Sequence, residues 1–353
     1  MSISRSTHRR SKHRPLKIAL AGTAATAMVG GGFLFVSGAM ANGTGSGSSD
    51  ATGTKAASGF APYVDTSLSP SYDVVGAAKK LGVKEFNLAF VTGGDGCTPK
   101  WGGVTDLGKD AVAAKIGDVR AAGGDVRISF GGANGSELGV ACTSADQLAD
   151  AYGKVIDQFK LTKVDFDIEG GALPDTAAND RRAEAIAKLQ KKHKGLDVSF
   201  TLPTMPEGLT QDGVGLLKSA KAKGVKVDEV NIMAMDYGPS YSGDMGTYAT
   251  QAATATQKQV KGALGLSDAA AWQAVAVTPM IGVNDVAVEK FTLADAKELV
   301  AFAKEKKLGG LHMWSANRDK ACAGGGADAA QPTCSSIEQG ADDFTKAFAA
   351  FGG

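Results

Sequence analysis

Histidine is scarce: 4 in 353 residues, namely His8, His13, His193 and His312, and they are scattered. The 4 cysteines, Cys97, Cys142, Cys322 and Cys334, include no C-x-x-C pair. A metal site built from these ligands is therefore not expected. Aromatic residues make up only 7%. No basic patch is interleaved with them, which argues against nucleic-acid binding. No Ser-His-Asp arrangement is evident. The Gly-rich GGANG at 131–135 lacks the Lys and the spacing of a P-loop, and reads as room for the backbone. The chain is expected to need no cofactor.

The ends are informative. The first 17 residues hold Arg5, Arg9, Arg10, Lys12, Arg14 and Lys17 and no acid. An uncharged, mostly small or apolar run follows and closes on Ala39-Met40-Ala41. This reads as a signal peptide over 1–41, with an uncleaved membrane anchor as the alternative. Residues 42–57 have the composition of a flexible Gly/Ser/Thr linker. The whole chain carries 38 basic and 37 acidic residues; losing six basic residues with the leader leaves 32 against 37, or −5. Export favours disulfides, and four cysteines allow three pairings. Spacing and neighbourhood favour Cys322–Cys334 as a local staple and Cys97–Cys142 as a bridge between loops. The expected location is extracellular, as a monomer with no stable membrane association after cleavage.

Residues 58–353 alternate between two patterns. Short apolar, β-branched runs occur at 59–64, 85–91, 125–130, 163–168, 197–202, 229–235, 273–280 and 309–314. Amphipathic, Ala/Lys-rich stretches lie between them, and several stop at Gly. Strand then helix, eight times, predicts an α/β fold: a (β/α)8 TIM barrel in a single catalytic domain. A doubly wound open sheet is the alternative. In such barrels chemistry sits at the C-terminal strand ends. Those ends carry Tyr63, Phe90, Ser129, Asp167 with Glu169, Asp236 with Tyr237, and Trp314.

The fourth run, KVDFDIEG, is the most unusual. Asp165, Asp167 and Glu169 alternate with Val164, Phe166 and Ile168. Alternate strand residues share a face. The apolar set suits the strand–helix layer, so the acids point into the barrel. Burial and mutual repulsion raise the pKa of such groups and couple their titration. Glu169, nearest the mouth, is the candidate general acid. Asp167 is placed to bond it or a substrate group, and Asp165, deepest, to tune both. A solvated edge strand and a metal site built from three acids are the bland readings.

These residues resemble glycoside hydrolase family 18. Asp165-Phe-Asp167-Ile-Glu169 matches the end of its strand-four motif D-x-x-D-x-D-x-E, with Thr162 in place of the first Asp. Ser129-Phe-Gly131-Gly132 matches its S-x-G-G. Met233-Ala-Met235-Asp236 matches its strand-six pattern except at Met235, where Tyr is usual. Trp314 matches its strand-eight Trp. The fit runs from about 59 to 350, and the whole resembles a compact secreted bacterial chitinase.

That resemblance implies an endo-acting hydrolase of chitin or N-acetylglucosamine oligomers. Its catalysis is substrate-assisted: Glu169 protonates the glycosidic oxygen while Asp167 holds the N-acetyl group, whose oxygen attacks. Trp314 would carry a sugar ring, with Tyr63, Phe90, Met235 and Asp236 as further contacts. Tyr237 or Tyr63 would replace the hydroxyl missing at 235, Tyr237 because it keeps the strand parity of Met235. Ser129 would bond Asp165. Trp101 and Trp272 are further candidate sugar contacts. Strands seven and eight stand too close for the α+β insertion of some members, which predicts an open groove. The rival activities are an endo-β-N-acetylglucosaminidase on N-glycans and a catalytically weak lectin-like barrel.

Overall fold

The computed structural model describes residues 59–352. The expected signal peptide and linker lie outside them. Among the described residues, no helix is long and apolar enough to cross a membrane.

Parallel strands form a closed ring. The first, β1, is broken at Ala61-Pro62 into Gly59–Phe60 and Tyr63–Asp65. There follow β2 (Glu85–Gly93), β3 (Asp125–Gly131), β4 (Lys163–Asp167), β5 (Asp197–Met205), β6 (Glu229–Ala234), β7 (Val275–Pro279) and β8 (Gly310–Leu311). Each pairs with the next, and the first half of β1 pairs with β8 while the second half pairs with β2. The break at Pro62 is where β1 changes partner, and Pro there costs no ladder donor. The sheet is therefore a (β/α)8 barrel rather than an open doubly wound sheet. It is a single compact unit.

The helices are α1 (Val74–Lys80), α2 (Ile116–Ala121), α3 (Leu138–Ala141), α4 (Ala145–Phe159), α5 (Thr176–Lys192), α6 (Gln211–Ala222), α7 (Met245–Leu264), α8 (Asp268–Gln273), α9 (Leu293–Lys306) and α10 (Asp343–Ala349). Local chemistry sets their ends. Asp73, Ser144, Asp175, Thr210 and Asp244 each cap an N-terminus through the side chain. Thr292 and Asp295 form a capping box on α9. Gly265 ends α7 in the left-handed region, where a missing Cβ removes the penalty. Between β7 and β8 stand a small antiparallel hairpin, Gly282–Val283 with Lys290–Phe291, and α9. No α+β domain is inserted there.

The strand pattern sorts the barrel into two layers. Phe130, Phe166 and Phe200 lie level on β3, β4 and β5; on the outer face the first two rings stack at 5.4 Å and the next pair lies tilted at 5.7 Å. Their neighbours Ser129, Asp165 and Ser199 lie level on the inner face. One buried ion pair sits in the outer layer: Arg182 on α5 meets Glu137, and Tyr152 donates to the same carboxylate at 3.2 Å. This pair fixes the loop after β3, which the Cys97–Cys142 disulfide also ties to the segment that follows β2. Cys322–Cys334 closes the second disulfide, over 12 residues.

Candidate active site

Asp165 sits at the barrel floor, fully buried. Four hydroxyls donate to it: Tyr63 at 3.0 Å and Ser129 at 2.7 Å to Oδ2, Ser199 at 2.6 Å and Thr201 at 2.9 Å to Oδ1. The carboxyl oxygens accept from all four, two at each oxygen. Arg127 on β3 donates to Ser199 at 2.9 Å and pairs with Asp197 at 2.9 Å. Burial pulls the Arg127 guanidinium down, but Glu229, Asp197 and Asp165 outweigh it and hold it above its usual value. Asn231 on β6 donates to Tyr63 at 3.2 Å and to Thr201 at 3.0 Å. The floor is therefore a closed polar network with its charges paired.

Two residues up the same strand the pattern changes. Asp167 is 4% exposed, and its Oδ1 has no hydrogen-bond donor among the described residues. Burial drives its pKa well above the carboxylate range, and the charges of Glu169 and Asp165 add to this. Glu169 is half-buried beyond the end of β4. Burial raises its pKa too; the hydrogen bond it shares with Asp167 lowers it and the charge of Asp236 raises it. Two carboxyls this close hold one proton between them at a pH where ordinary carboxylates are ionised.

The glycines after β3 make this packing possible. Gly131 has φ +104°, and a Cβ there would stand 2.0 Å from the Asp167 carbonyl oxygen. Gly132 donates to that same oxygen at 3.1 Å. The S-x-G-G spacing thus holds β4 against the β3 turn at the height of the acids.

Around the mouth, Phe90 and Trp314 stack at 5.5 Å, and Tyr63 lies 6.1 Å from Trp314. Met235 is half-buried at the end of β6. Asp236 accepts from the Val286 amide at 2.9 Å. Burial raises its pKa and Asp285 adds to that, while amide donors and the Arg318 charge lower it.

The structure brings together Tyr63, Phe90, Ser129, Asp165, Asp167, Glu169 and Asp236, with Trp314 beside them. It does not place Tyr237 with them. The parity argument needs β6 to continue, but β6 ends at Ala234 and Asp236 turns into the left-handed region at φ 53°. Glu289 accepts from the Tyr237 and Gly238 amides and holds that turn. The Tyr237 ring packs instead on Tyr241 and Tyr248, at 5.7 and 6.0 Å, and its hydroxyl has no hydrogen-bond partner among the described residues. Nor is the Tyr63 hydroxyl spare, since Asp165 takes it. The two further tryptophans also differ from expectation. Trp101 is 2% exposed and donates to the Leu107 carbonyl, so it is core. Trp272 stands on α8, which feeds the N-terminal end of β7, and packs on Phe302.

Sequence reasoning missed Arg127, Ser199, Thr201 and Asn231. A signal was available: each is polar at the inward parity of a strand whose outward residues are apolar. Among the described residues, no group of three His, Cys, Asp or Glu side chains is arranged to hold a metal ion.

No family model matches the chain. The structure of the catalytic domain of a hyperthermophilic chitinase from Pyrococcus furiosus is similar throughout: 37% identical, TM-score 0.76, covering 83% of this chain and 94% of that one. The chain belongs to the glycoside hydrolase family 18 chitinases. Catalytic-site mutants of the Pyrococcus domain, solved with chito-oligosaccharides, match as well, at 36% identity and the same TM-score of 0.76. A probable bifunctional chitinase/lysozyme of Escherichia coli is 40% identical over 275 residues, 74% of this chain. Endochitinase 11 of Metarhizium anisopliae is 39% identical over 273 residues. The match spans only 31% and 52% of the lengths of these two relatives.

Proposed function

We propose that this chain is an exported, endo-acting chitinase that cuts β-1,4 bonds between N-acetylglucosamine units with retention of configuration. The observation that carries the reading is Asp167 beside Glu169, on one strand, with an unpartnered buried oxygen on Asp167. Retaining glycosidases with a protein nucleophile need carboxyls about 5–5.5 Å apart on opposite sides of the bond. Two acids on the same side of one strand cannot straddle a sugar. They can serve a substrate that brings its own nucleophile.

Glu169 then gives its proton to the glycosidic oxygen as the C1–O bond breaks. The acetamido carbonyl oxygen closes onto C1, and the positive charge spreads over the new ring. Asp167, released from Glu169, takes the acetamide N–H on its open oxygen and steadies that charge. Glu169, now ionised, draws a proton from water as the water opens the ring. Asp165 stays anchored at the floor beneath Asp167 by its four hydroxyl donors. The chain is read as a monomer acting on chitin or its oligomers. The leader and the two disulfides support export.

The test is hydrolysis of chito-oligosaccharides, followed by product length and anomer. Glu169→Gln should lower kcat by roughly 10²–10⁴-fold. Fully deacetylated chitosan should survive, since it lacks the attacking oxygen. Rapid cleavage of that polymer, or a fully active Glu169→Gln, sinks the mechanism. Peptidoglycan and an N-glycosylated protein belong in the same assay. The first is suggested by the lysozyme in the Escherichia coli relative's name, the second by the shared scheme of endo-β-N-acetylglucosaminidases.

A further inference from the structure

β4 ends at Asp167, and Glu169 stands beyond it. The Ile168 amide still bonds the Thr201 carbonyl on β5, at 3.0 Å. Glu169 itself is extended, and the chain then turns through Gly170–Ala172. Within that turn Ala172 donates to the Glu169 carbonyl at 3.2 Å and Leu173 to the Gly170 carbonyl at 3.4 Å. The acid therefore rides on a turn and not on the sheet. Its place depends on what holds the far end of that turn.

That end is tied to α5. Asn179 donates through Nδ2 to the Leu173 carbonyl at 2.8 Å, and its Oδ1 accepts from Arg182 Nη1 at 2.5 Å. Arg182 turns its other donors on Glu137: Nη2 to Oε2 at 2.5 Å and Nε to Oε1 at 3.3 Å. Glu137 belongs to the loop after β3. Its Cγ lies 3.6 Å from the point a Gly131 Cβ would occupy, and Gly132 in the same loop holds the Asp167 carbonyl. One guanidinium, 1% exposed, thus joins the segment that steadies Asp167 to the turn that carries Glu169.

Burying such a pair is a poor route to stability. Desolvation costs several kcal/mol per ion, and well-packed apolar residues of the same volume often do as well or better. What the planar fork adds is direction, since its N–H groups are fixed relative to one another. Burial pushes the Glu137 carboxyl up, but the Arg182 charge and hydrogen bonds outweigh it and hold it below its usual value. The clamp therefore stays charged while Asp167 and Glu169 pass a proton between them.

We propose that Arg182 and Asn179 are positioning residues for the proton donor: they clamp the Glu169 turn to the loop after β3 and so fix Glu169 against Asp167. The inference rests on the reading of Glu169 as the cleaving acid. Asn179 is the link that can be cut by itself. An Asp in its place keeps an acceptor for Arg182 and loses the donor to the Leu173 carbonyl.

The test is the kinetics of Asn179→Asp on a chito-oligosaccharide across pH, with a thermal melt beside it. Misplacing the acid by about 1 Å should lower kcat roughly 10–100-fold and leave KM within about twofold. The alkaline limb of kcat/KM should move to more acid pH, because a loosened Glu169 is better hydrated and burial is the main cause of its raised pKa. A merely structural role would lower the melting temperature and leave kcat and the limb of the folded enzyme as in wild type, and that result overturns the proposal. A fall in kcat with the limb in place overturns it too, since Glu169 then keeps its surroundings. Asn179→Ala cuts both bonds without adding a charge, and reads the same outcomes if the Asp variant does not fold. Glu169→Gln run in parallel separates the two failures. If it stays fully active, the reading of the acid falls; if it is inactive while the Asn179 variants match wild type, only the clamp falls.

Discussion

The floor and the mouth of the barrel both hold carboxyls from β4, and they are built to opposite rules. At the floor, Asp165 receives four hydroxyl donors and stands beside Arg127. At the mouth, Asp167 and Glu169 face each other with raised pKa values and one oxygen unmet. Two residues of sequence separate a satisfied charge from an unsatisfied one. A satisfied buried charge holds the fold in place. An unsatisfied one is free to bind a ligand or move a proton.

The sharpest way to break that comparison is at the floor. Asp165→Ala leaves four buried hydroxyls without their acceptor, while Arg127 keeps its pair with Asp197. We expect a loss of about 2–4 kcal/mol in urea unfolding, from buried hydroxyls left unsatisfied. A loss below about 1 kcal/mol would mean the floor is not a paired network.

Asp167→Asn should behave in the opposite way. The folded pKa of Asp167 is raised above its unfolded value. Its folded state is therefore most favoured when protonated, and stability falls as pH rises through the raised pKa. Asn mimics the protonated form. The variant should melt higher than wild type above that pKa, match it in acid, and lose most activity. Thermal melts against pH check this; a variant less stable than wild type at alkaline pH contradicts it.

Asp236→Asn sharpens the mouth side. The Asp236 charge raises the pKa of Glu169. Its removal should lower that pKa and shift the alkaline limb of kcat/KM to more acid pH. A limb that stays in place removes Asp236 from the proton account. The smallest expected effect lies on the surface. Lys192 pairs with Asp157 at 3.0 Å, but both side chains are more than half exposed. Lys192→Ala should cost less than about 1 kcal/mol. If it costs as much as Asp165→Ala, burial is not what makes the floor matter.

Much of this was legible in the residues. The eight apolar runs marked the strands, since parallel strands are buried on both faces and bounded by turn residues. The alternation in KVDFDIEG put the acids on the inner face before any fold was known, because strand parity is a local property. Local chemistry also wrote the helix caps at Thr292 and Asp175.

Other features depended on contacts far apart in sequence. Whether Tyr237 keeps the parity of Met235 depended on where β6 stops, and Glu289, far along the chain, holds that turn. Trp101 and Trp272 stood as candidate sugar contacts because an aromatic's exposure cannot be read from its neighbours in sequence. The hydroxyls around Asp165 come from β1, β3 and β5, so only closing the barrel brings them together. The sequence by itself determined the periodicities, the caps and the order of the acids, which follow from backbone geometry over a few residues. The tertiary structure alone decided which acid is satisfied and which is left open, because desolvation and hydrogen-bond pairing depend on what the other strands bring to the same point in space.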